Sequence, residues 1–155
     1  MKKKVHGHSN AEYITPKKED LERRFNEYNE KYFDGVLPPC KLMIRKSEDG
    51  CPAWITKYKK VNNKLYIAND VYWTDENLKL FLIHEMVHHY VWKIMNLHPF
   101  CTHGRAFRKV CRMLRKKHGI RVNLHELPLP HFKGKRKPSP LKEMMIRFLD
   151  YVIPI

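Results

Sequence analysis

Apolar residues recur along most of the chain with the spacing of helices, and the longest such stretch lies near its middle. Between Thr74 and Leu97, residues such as Ile83 and Val87 fall on one arc when successive positions are placed 100° apart. The Thr74 hydroxyl can cap this helix, and a proline two residues after Leu97 disfavours its continuation. The pattern predicts a central helix between these two residues, with His89 facing solvent.

A second helical pattern precedes this stretch and ends near Gly35. Its apolar positions are Leu21, Phe25, Tyr28 and Tyr32. Thr15 can cap the helix and Pro16 suits its first turn, so we expect the helix to begin there. Residues 1–14 show no periodicity and are expected to form a flexible N-terminal arm.

Three short β-type segments separate the two helices, at residues 40–46, 53–58 and 64–68. Turn-forming residues lie between them, which favours an antiparallel meander of about three strands. Such a sheet needs one covered face, and the flanking helices can provide that cover. The expected fold class is therefore α+β.

Another helix is predicted from Thr102 to Gly119, with apolar positions at Phe107, Val110, Cys111 and Leu114. Residues 121–124 could form a short terminal strand. Residues 128–155 contain a basic, proline-rich linker followed by a C-terminal amphipathic helix. That last helix could pack on its own domain, bind a partner or cover an active site.

The charge of the chain is strongly unbalanced, with 31 Lys and Arg against 16 Asp and Glu and a formal net charge of +15. This balance favours a polyanionic partner, with nucleic acid as the leading candidate, over a basic surface without a ligand. The candidate nucleic-acid-binding residues on the basic helix are Arg105, Arg108, Lys109, Arg112, Arg115 and Lys116, and those in the linker are Lys135, Arg136 and Lys137.

The length of 155 residues suits one domain, and we expect a monomer. The four cysteines form no Cys-x-x-Cys pair, no apolar signal region follows the basic start, and no apolar run could span a bilayer. We therefore expect a cytoplasmic protein, nucleoid-associated or nuclear according to its source, with no membrane partner.

The central helix contains the motif His-Glu-x-x-His at His84, Glu85 and His88. His84 and His88 lie one helical turn apart, so both imidazoles can bind one Zn²⁺ ion. Glu85 is offset from that face and can act as general base on a zinc-activated water. The motif thus predicts a hydrolytic zinc site.

A catalytic zinc site usually has three protein ligands, so a third ligand is required. The metzincin pattern is absent, because Val91 and Ile94 occupy its positions, and the next glutamate after the motif lies beyond the following helix. His98 lies about 15 Å farther along the helix axis than His88 if the helix persists. His103 follows a loop that lets the chain turn back, and we favour it as the third ligand.

These residues resemble the SprT-like family of zinc metalloproteases, which includes the Spartan DNA–protein crosslink proteases. The resemblance rests on HEMVH at 84–88, HGRAF at 103–107 and FNEYNEKYFDGVLP at 25–38. It implies a minimal zincin domain over residues 15–127, with His84, His88 and His103 on zinc and Glu85 as catalytic base. It also implies cleavage of proteins held on DNA. The zinc ribbon that many members carry is replaced here by the basic linker and short helix.

Two other functions remain open at the level of sequence. One is a nucleic-acid-binding protein with a structural or inactive zinc site, which would have no need for Glu85. The other is a zinc hydrolase that acts on a substrate other than a peptide.

Overall fold

Helices and strands in the computed structural model follow the predicted order, and residues 13–47, 51–57 and 61–122 are the ones it describes. Within these residues the fold is α+β, with three helices and a three-stranded mixed sheet. The elements are α1 (Lys18–Phe33), β1 (Lys41–Arg45), β2 (Ala53–Thr56), β3 (Lys64–Ala68), α2 (Asp75–Lys93) and α3 (Arg105–His118). The predicted C-terminal helix and most of the predicted N-terminal arm lie outside the described residues.

The sheet has the strand order β1-β3-β2, so the predicted antiparallel meander is wrong. β1 runs parallel to β3, with Leu42 opposite Leu65, whereas β2 is antiparallel to β3, with Ala53 opposite Ile67. The four residues from Leu65 to Ala68 are all buried. Because consecutive strand residues point to opposite faces, this burial means that both faces of β3 are covered. A continuous apolar run of this kind is typical of a central strand.

The helix α1 begins later than predicted. Its first residue is Lys18, and Thr15 and Pro16 belong to an extended segment in front of it. In that segment the Ile14 N–H donates to the Trp73 carbonyl at 2.9 Å, in an isolated antiparallel bridge. Ile14 is thus paired with Trp73, the residue before the cap of α2. Because of this pairing, Thr15 does not occupy the capping position of α1.

The start of α2 is as predicted, because the Thr74 hydroxyl accepts a hydrogen bond from the Asn77 N–H at 3.2 Å. Its end is earlier than the predicted Leu97. Asn96 has a φ of 50°, in the left-handed region, and the Leu97 N–H donates to the Val91 carbonyl at 3.1 Å. This geometry closes a helix end, so the chain leaves α2 after Lys93.

The helix α3 begins at Arg105, later than the predicted Thr102, with Gly104 before its first residue, and it ends as predicted, with Gly119 after its last residue. Gly119 has a φ of 70°, a conformation that glycine adopts without strain. Arg121 and Val122 are the described part of the predicted terminal strand, and neither is in a strand.

A buried side chain fixes the chain where it leaves α1. The Asn29 side-chain amide donates to the Leu37 carbonyl, and its oxygen accepts from the Leu37 N–H, both at 3.1 Å. Both residues are buried. One side chain thus satisfies both backbone hydrogen-bonding groups of a buried residue, which holds the segment leading to β1.

We expect Asn29→Ala to lower the free energy of unfolding by about 2 kcal/mol, because it leaves two buried backbone groups unpaired. The control is Asn26→Ala, an exposed residue of the same helix, which should cost less than about 0.5 kcal/mol. Urea unfolding of both variants measures the difference. Equal losses for the two variants would contradict this role of Asn29.

Candidate metal centre

Three histidines meet through the same ring nitrogen, Nε2. The Nε2 atoms of His84 and His103 are 3.0 Å apart, those of His88 and His103 are 3.1 Å apart, and those of His84 and His88 are 3.2 Å apart. Nitrogens bound tetrahedrally at about 2.0–2.1 Å from a zinc ion are about 3.3–3.4 Å apart. The three ring nitrogens are therefore spaced closely enough to hold one metal ion.

The two helices position these rings by packing around one aromatic side chain. His84 and His88 lie on successive turns of α2, and His103 lies just before α3. The Phe107 ring, from the first turn of α3, is 5.0 Å from the His84 ring, 4.5 Å from His88 and 4.8 Å from His103. Phe107 is fully buried. A rigid apolar contact therefore sets the relative position of the two chain segments that supply the nitrogens.

Gly104 is required by the turn that presents His103. Its N–H donates to the Cys101 carbonyl at 3.1 Å, and a Cβ atom at this position would lie 2.9 Å from that same oxygen. Any larger residue would push the turn open. The absence of a side chain at Gly104 is thus needed by the backbone of the turn.

The surroundings keep His88 in the form that binds metal. Burial, with smaller contributions from the neighbouring His84 and His103, lowers the pKa of His88 to about 2. His88 is therefore a neutral imidazole at neutral pH, with a lone pair available on one ring nitrogen. Its Nδ1 atom is buried and has no hydrogen-bond partner among the described residues. A cation between the three Nε2 atoms uses all three lone pairs at once, so the donor set fits a metal ion.

Glu85 lies on α2 between the two histidines of the motif and is only 3% exposed. Its carboxylate is close enough to the half-buried Cys40 to add to the effect of burial, which raises the pKa of that thiol to about 12. A buried carboxylate is costly unless it has a partner or a chemical role. This residue thus lies within the protein interior, next to His84 in sequence.

His89 differs from its prediction. It was expected to face solvent, but it is fully buried. Its Nε2 donates to the Pro38 carbonyl at 2.9 Å, so its Nδ1 accepts from the Asn63 side-chain amide, also at 2.9 Å. Burial lowers the pKa of His89 and keeps it neutral. The prediction failed because residues 81–89 are all buried, so this part of α2 has no solvent face.

The alternative ligand His98 lies outside the cluster. It is exposed, and its Nδ1 accepts a hydrogen bond from the Lys57 ammonium at 3.2 Å. Trp92, which was not predicted to belong to the site, stacks its ring on the His88 ring at 5.5 Å with an interplanar angle of 25°. The spacing of four residues between His88 and Trp92 was the available signal.

The predicted nucleic-acid-binding residues of α3 lie on its outer side. The buried face carries Phe107, Val110, Cys111 and Leu114. Arg108 is half-buried, and the exposed members of the set are Arg105, Lys109, Arg112, Arg115 and Lys116. Lys117 binds Asp34 at 2.7 Å and ties α3 to the end of α1. The linker residues Lys135, Arg136 and Lys137 are not among the described residues.

The described residues thus form an α+β domain with three histidines that could hold a metal ion. The family model of the SprT-like family matches residues 21–127, and the chain belongs to this family, which together with the histidine cluster suggests a metallopeptidase-like domain. A search of curated proteins found no match. In the described part of the chain, none of the helices has the length and apolar character required to cross a membrane.

We expect His103→Ala to weaken Zn²⁺ binding by more than about 100-fold, because it removes one of three ligands rather than an outer hydrogen bond. The matched control is His98→Ala, which should bind Zn²⁺ like the unchanged protein. Competition titration with a chelator measures both affinities. Unchanged affinity in His103→Ala would remove this residue from the site.

Proposed function

We propose that this protein is a zinc-dependent endopeptidase with Glu85 as general base. The observation that carries the proposal is the convergence of three Nε2 atoms within 3.2 Å of one another, two of them from α2, the helix that also carries a buried glutamate. The match to the SprT-like family supports the same activity.

Zinc is the metal that best fits this donor set. Three neutral imidazoles on a tetrahedral ion leave one position for water or substrate, which is the pattern of catalytic rather than structural zinc sites. His103 is partly exposed, whereas His84 and His88 are buried, so the accessible side of the cluster is the His103 side. Substrate would therefore approach past the segment that precedes α3.

Bound zinc would supply a Lewis acid that lowers the pKa of water and polarises the scissile carbonyl. Glu85 is the group of this chain that would take the proton from the attacking water and deliver it to the leaving amine. Its position supports this role, because it follows His84 directly on α2 and is buried beside the two motif histidines. The histidines hold their nitrogens in place before substrate arrives, which reduces the reorganisation needed during the reaction.

The preferred substrates are proteins associated with or crosslinked to DNA. This part of the proposal rests on the net charge of +15 and on the exposed basic residues of α3, which begins beside His103. Phosphate contacts from such a helix would bring DNA-bound proteins close to the site. Arg112, Arg115 and Lys116 lie farthest from the metal centre and are the best candidates for these contacts.

The second candidate function is a nucleic-acid-binding protein with a structural or inactive zinc site. Structural zinc sites have four protein ligands, and the cluster found among the described residues has three. A structural site also gives no reason to bury Glu85. The endopeptidase is therefore the better supported of the two.

Glu85→Gln is expected to reduce protein cleavage by about 10²–10⁴-fold while retaining one equivalent of zinc, because general-base catalysis contributes about that much. Glu76→Gln, an exposed change in the first turn of the same helix, should leave both properties unchanged. Cleavage of a DNA-bound basic protein and metal analysis of each variant measure the two effects. A Glu85→Gln protein that cuts at the original rate would refute the general-base assignment.

Reversing two charges on α3, in Arg112→Glu with Lys116→Glu, is expected to weaken DNA binding and flatten its dependence on salt. Each lost phosphate contact reduces the slope of log K against log salt by about 0.9. The control with the same change in net charge is Lys41→Glu with Lys46→Glu, both exposed and at β1. DNA affinity measured at several salt concentrations shows whether binding depends on the basic surface of α3 or only on the total charge of the protein. Equal losses in both double variants would argue against α3 as the DNA-binding surface.

A further inference from the structure

A cavity lies between the end of α2 and the start of α3. Its volume is about 530 Å³, which is enough for a large side chain and its neighbours. The lining residues are Met95, Leu97, His98, Pro99, Arg105, Ala106 and Lys109. None of them belongs to the histidine cluster, and the proposed hydrolysis does not use any of them.

Two sets of contacts place this cavity beside the metal centre. On one wall, Ala106 directly precedes Phe107, whose ring is 4.8 Å from the ring of His103. On the other, the Lys57 ammonium donates to His98 and also lies 5.9 Å from the centre of the Trp92 ring. Trp92 in turn stacks on His88. A chain bound across the cluster would therefore reach the cavity within a few residues.

The cavity combines apolar walls with positive charge. Met95, Leu97, Pro99 and Ala106 provide the apolar surface, and the exposed side chains of Arg105 and Lys109 provide the charge. No lining residue is acidic. The first turn of α3 has no acidic residue either, and its N-cap Gly104 offers no side-chain cap. The positive end of the helix dipole adds to the attraction for a carboxylate at this place.

We propose that this cavity binds an apolar side chain of the protein substrate together with an acidic residue next to it. The assignment rests on the proposed endopeptidase function and specifies which substrate segments it selects. In such a segment the apolar side chain contacts the apolar walls, and the acidic residue lies near the positive charges of Arg105 and Lys109. An apolar segment followed by lysine or arginine would meet like charge and bind poorly.

The proposal divides α3 into two parts with different ligands. Arg105 and Lys109 lie at the cavity, near the start of the helix. Arg112 and Lys116 follow one and two turns farther on, about 4.5 and 10.5 Å beyond Lys109. The same helix can thus bind an acidic peptide at its start and nucleic-acid phosphates farther along.

The test uses the full chain as zinc-loaded Glu85→Gln, so that binding is measured without turnover. The probes are three short fluorescent peptides of equal length, with a central leucine between glutamates, a central alanine between glutamates, and a central leucine between lysines. Fluorescence anisotropy should give the tightest binding for the first peptide. We expect roughly tenfold weaker binding when leucine is replaced by alanine, and a similar loss for the lysine peptide.

Three additional substitutions in the same protein locate the binding. Lys109→Glu should weaken binding of the acidic leucine peptide about fivefold. Lys46→Glu makes the same charge change next to β1, at the edge of the sheet away from β2, and should leave this binding unchanged. Leu97→Asp should remove the preference for leucine over alanine. It should leave the hydrophobic core intact, since Leu97 is 43% exposed. Equal affinity for the leucine and alanine peptides, or equal effects of Lys109→Glu and Lys46→Glu, would overturn the proposal.

Other occupants of the cavity give different results. One such result is that a single-stranded oligonucleotide displaces the acidic leucine peptide from the protein with Leu97 but not from the Leu97→Asp variant. Nucleic acid would then be the occupant of the cavity, and the proposal would be overturned. Faster hydrogen exchange in residues 128–155 after Leu97→Asp, with peptide binding unchanged, would identify the chain's own C-terminal segment as occupant. A dimer that Leu97→Asp dissociates would identify a second copy. Either result would also overturn the proposal.

The proposed function and the cavity can fail separately. If the peptides bind with the expected preference but the unsubstituted zinc protein cleaves no substrate, the endopeptidase proposal is wrong and the cavity assignment stands. If the unsubstituted protein cleaves proteins but the peptides show no preference, the cavity assignment is wrong and the activity stands.

Discussion

The candidate site depends on one constraint: two helices must hold three ring nitrogens within 3.2 Å of one another. Rotating α3 slightly about its own axis would move His103 away from the pair on α2. The buried Phe107 ring prevents this, because it contacts all three imidazoles and fills the space between the helices. Close packing around Phe107 therefore contributes directly to the geometry of the nitrogens.

The rest of the domain serves to hold α2. The helix lies in the core, with nine consecutive residues buried from Phe81 to His89, and it contacts β2 on one side and α3 on another. At its start, the Arg24 guanidinium of α1 donates to Asp75 of α2. Near its other end, His89 links it to Asn63 beside β3 and to Pro38 before β1. Polar contacts at both ends thus fix the helix along its axis.

The sequence was informative about the site because local spacing determined most of it. His84 and His88 fall on one face of any helix, and Gly104 and Gly119 mark the ends of α3. His103 could be favoured over His98 from two lengths alone. The length of the helix places His98 far along the axis from His88, and the length of the loop lets the chain turn back at His103. These features depend on a few neighbouring residues, so periodicity and capping rules were sufficient to find them.

The errors lay where distant segments meet. The parallel pairing of β1 with β3 depends on contacts between strands that are far apart in sequence, and turn residues between neighbouring segments give no information about it. The burial of His89 depends on Asn63 and Pro38, which a helical wheel of α2 does not include. The wheel assumes a solvent face, and this helix has none over its central residues. Tertiary contacts of this kind override local patterns.

His88 and His89 are neighbours on α2, but His88 faces the histidine cluster and His89 faces the sheet. The contacts of His89 with Asn63 and Pro38 anchor the helix without involving any of the three clustered rings. One residue thus serves the architecture and the next serves the donor set, so replacements at these two adjacent positions would damage different properties of the protein.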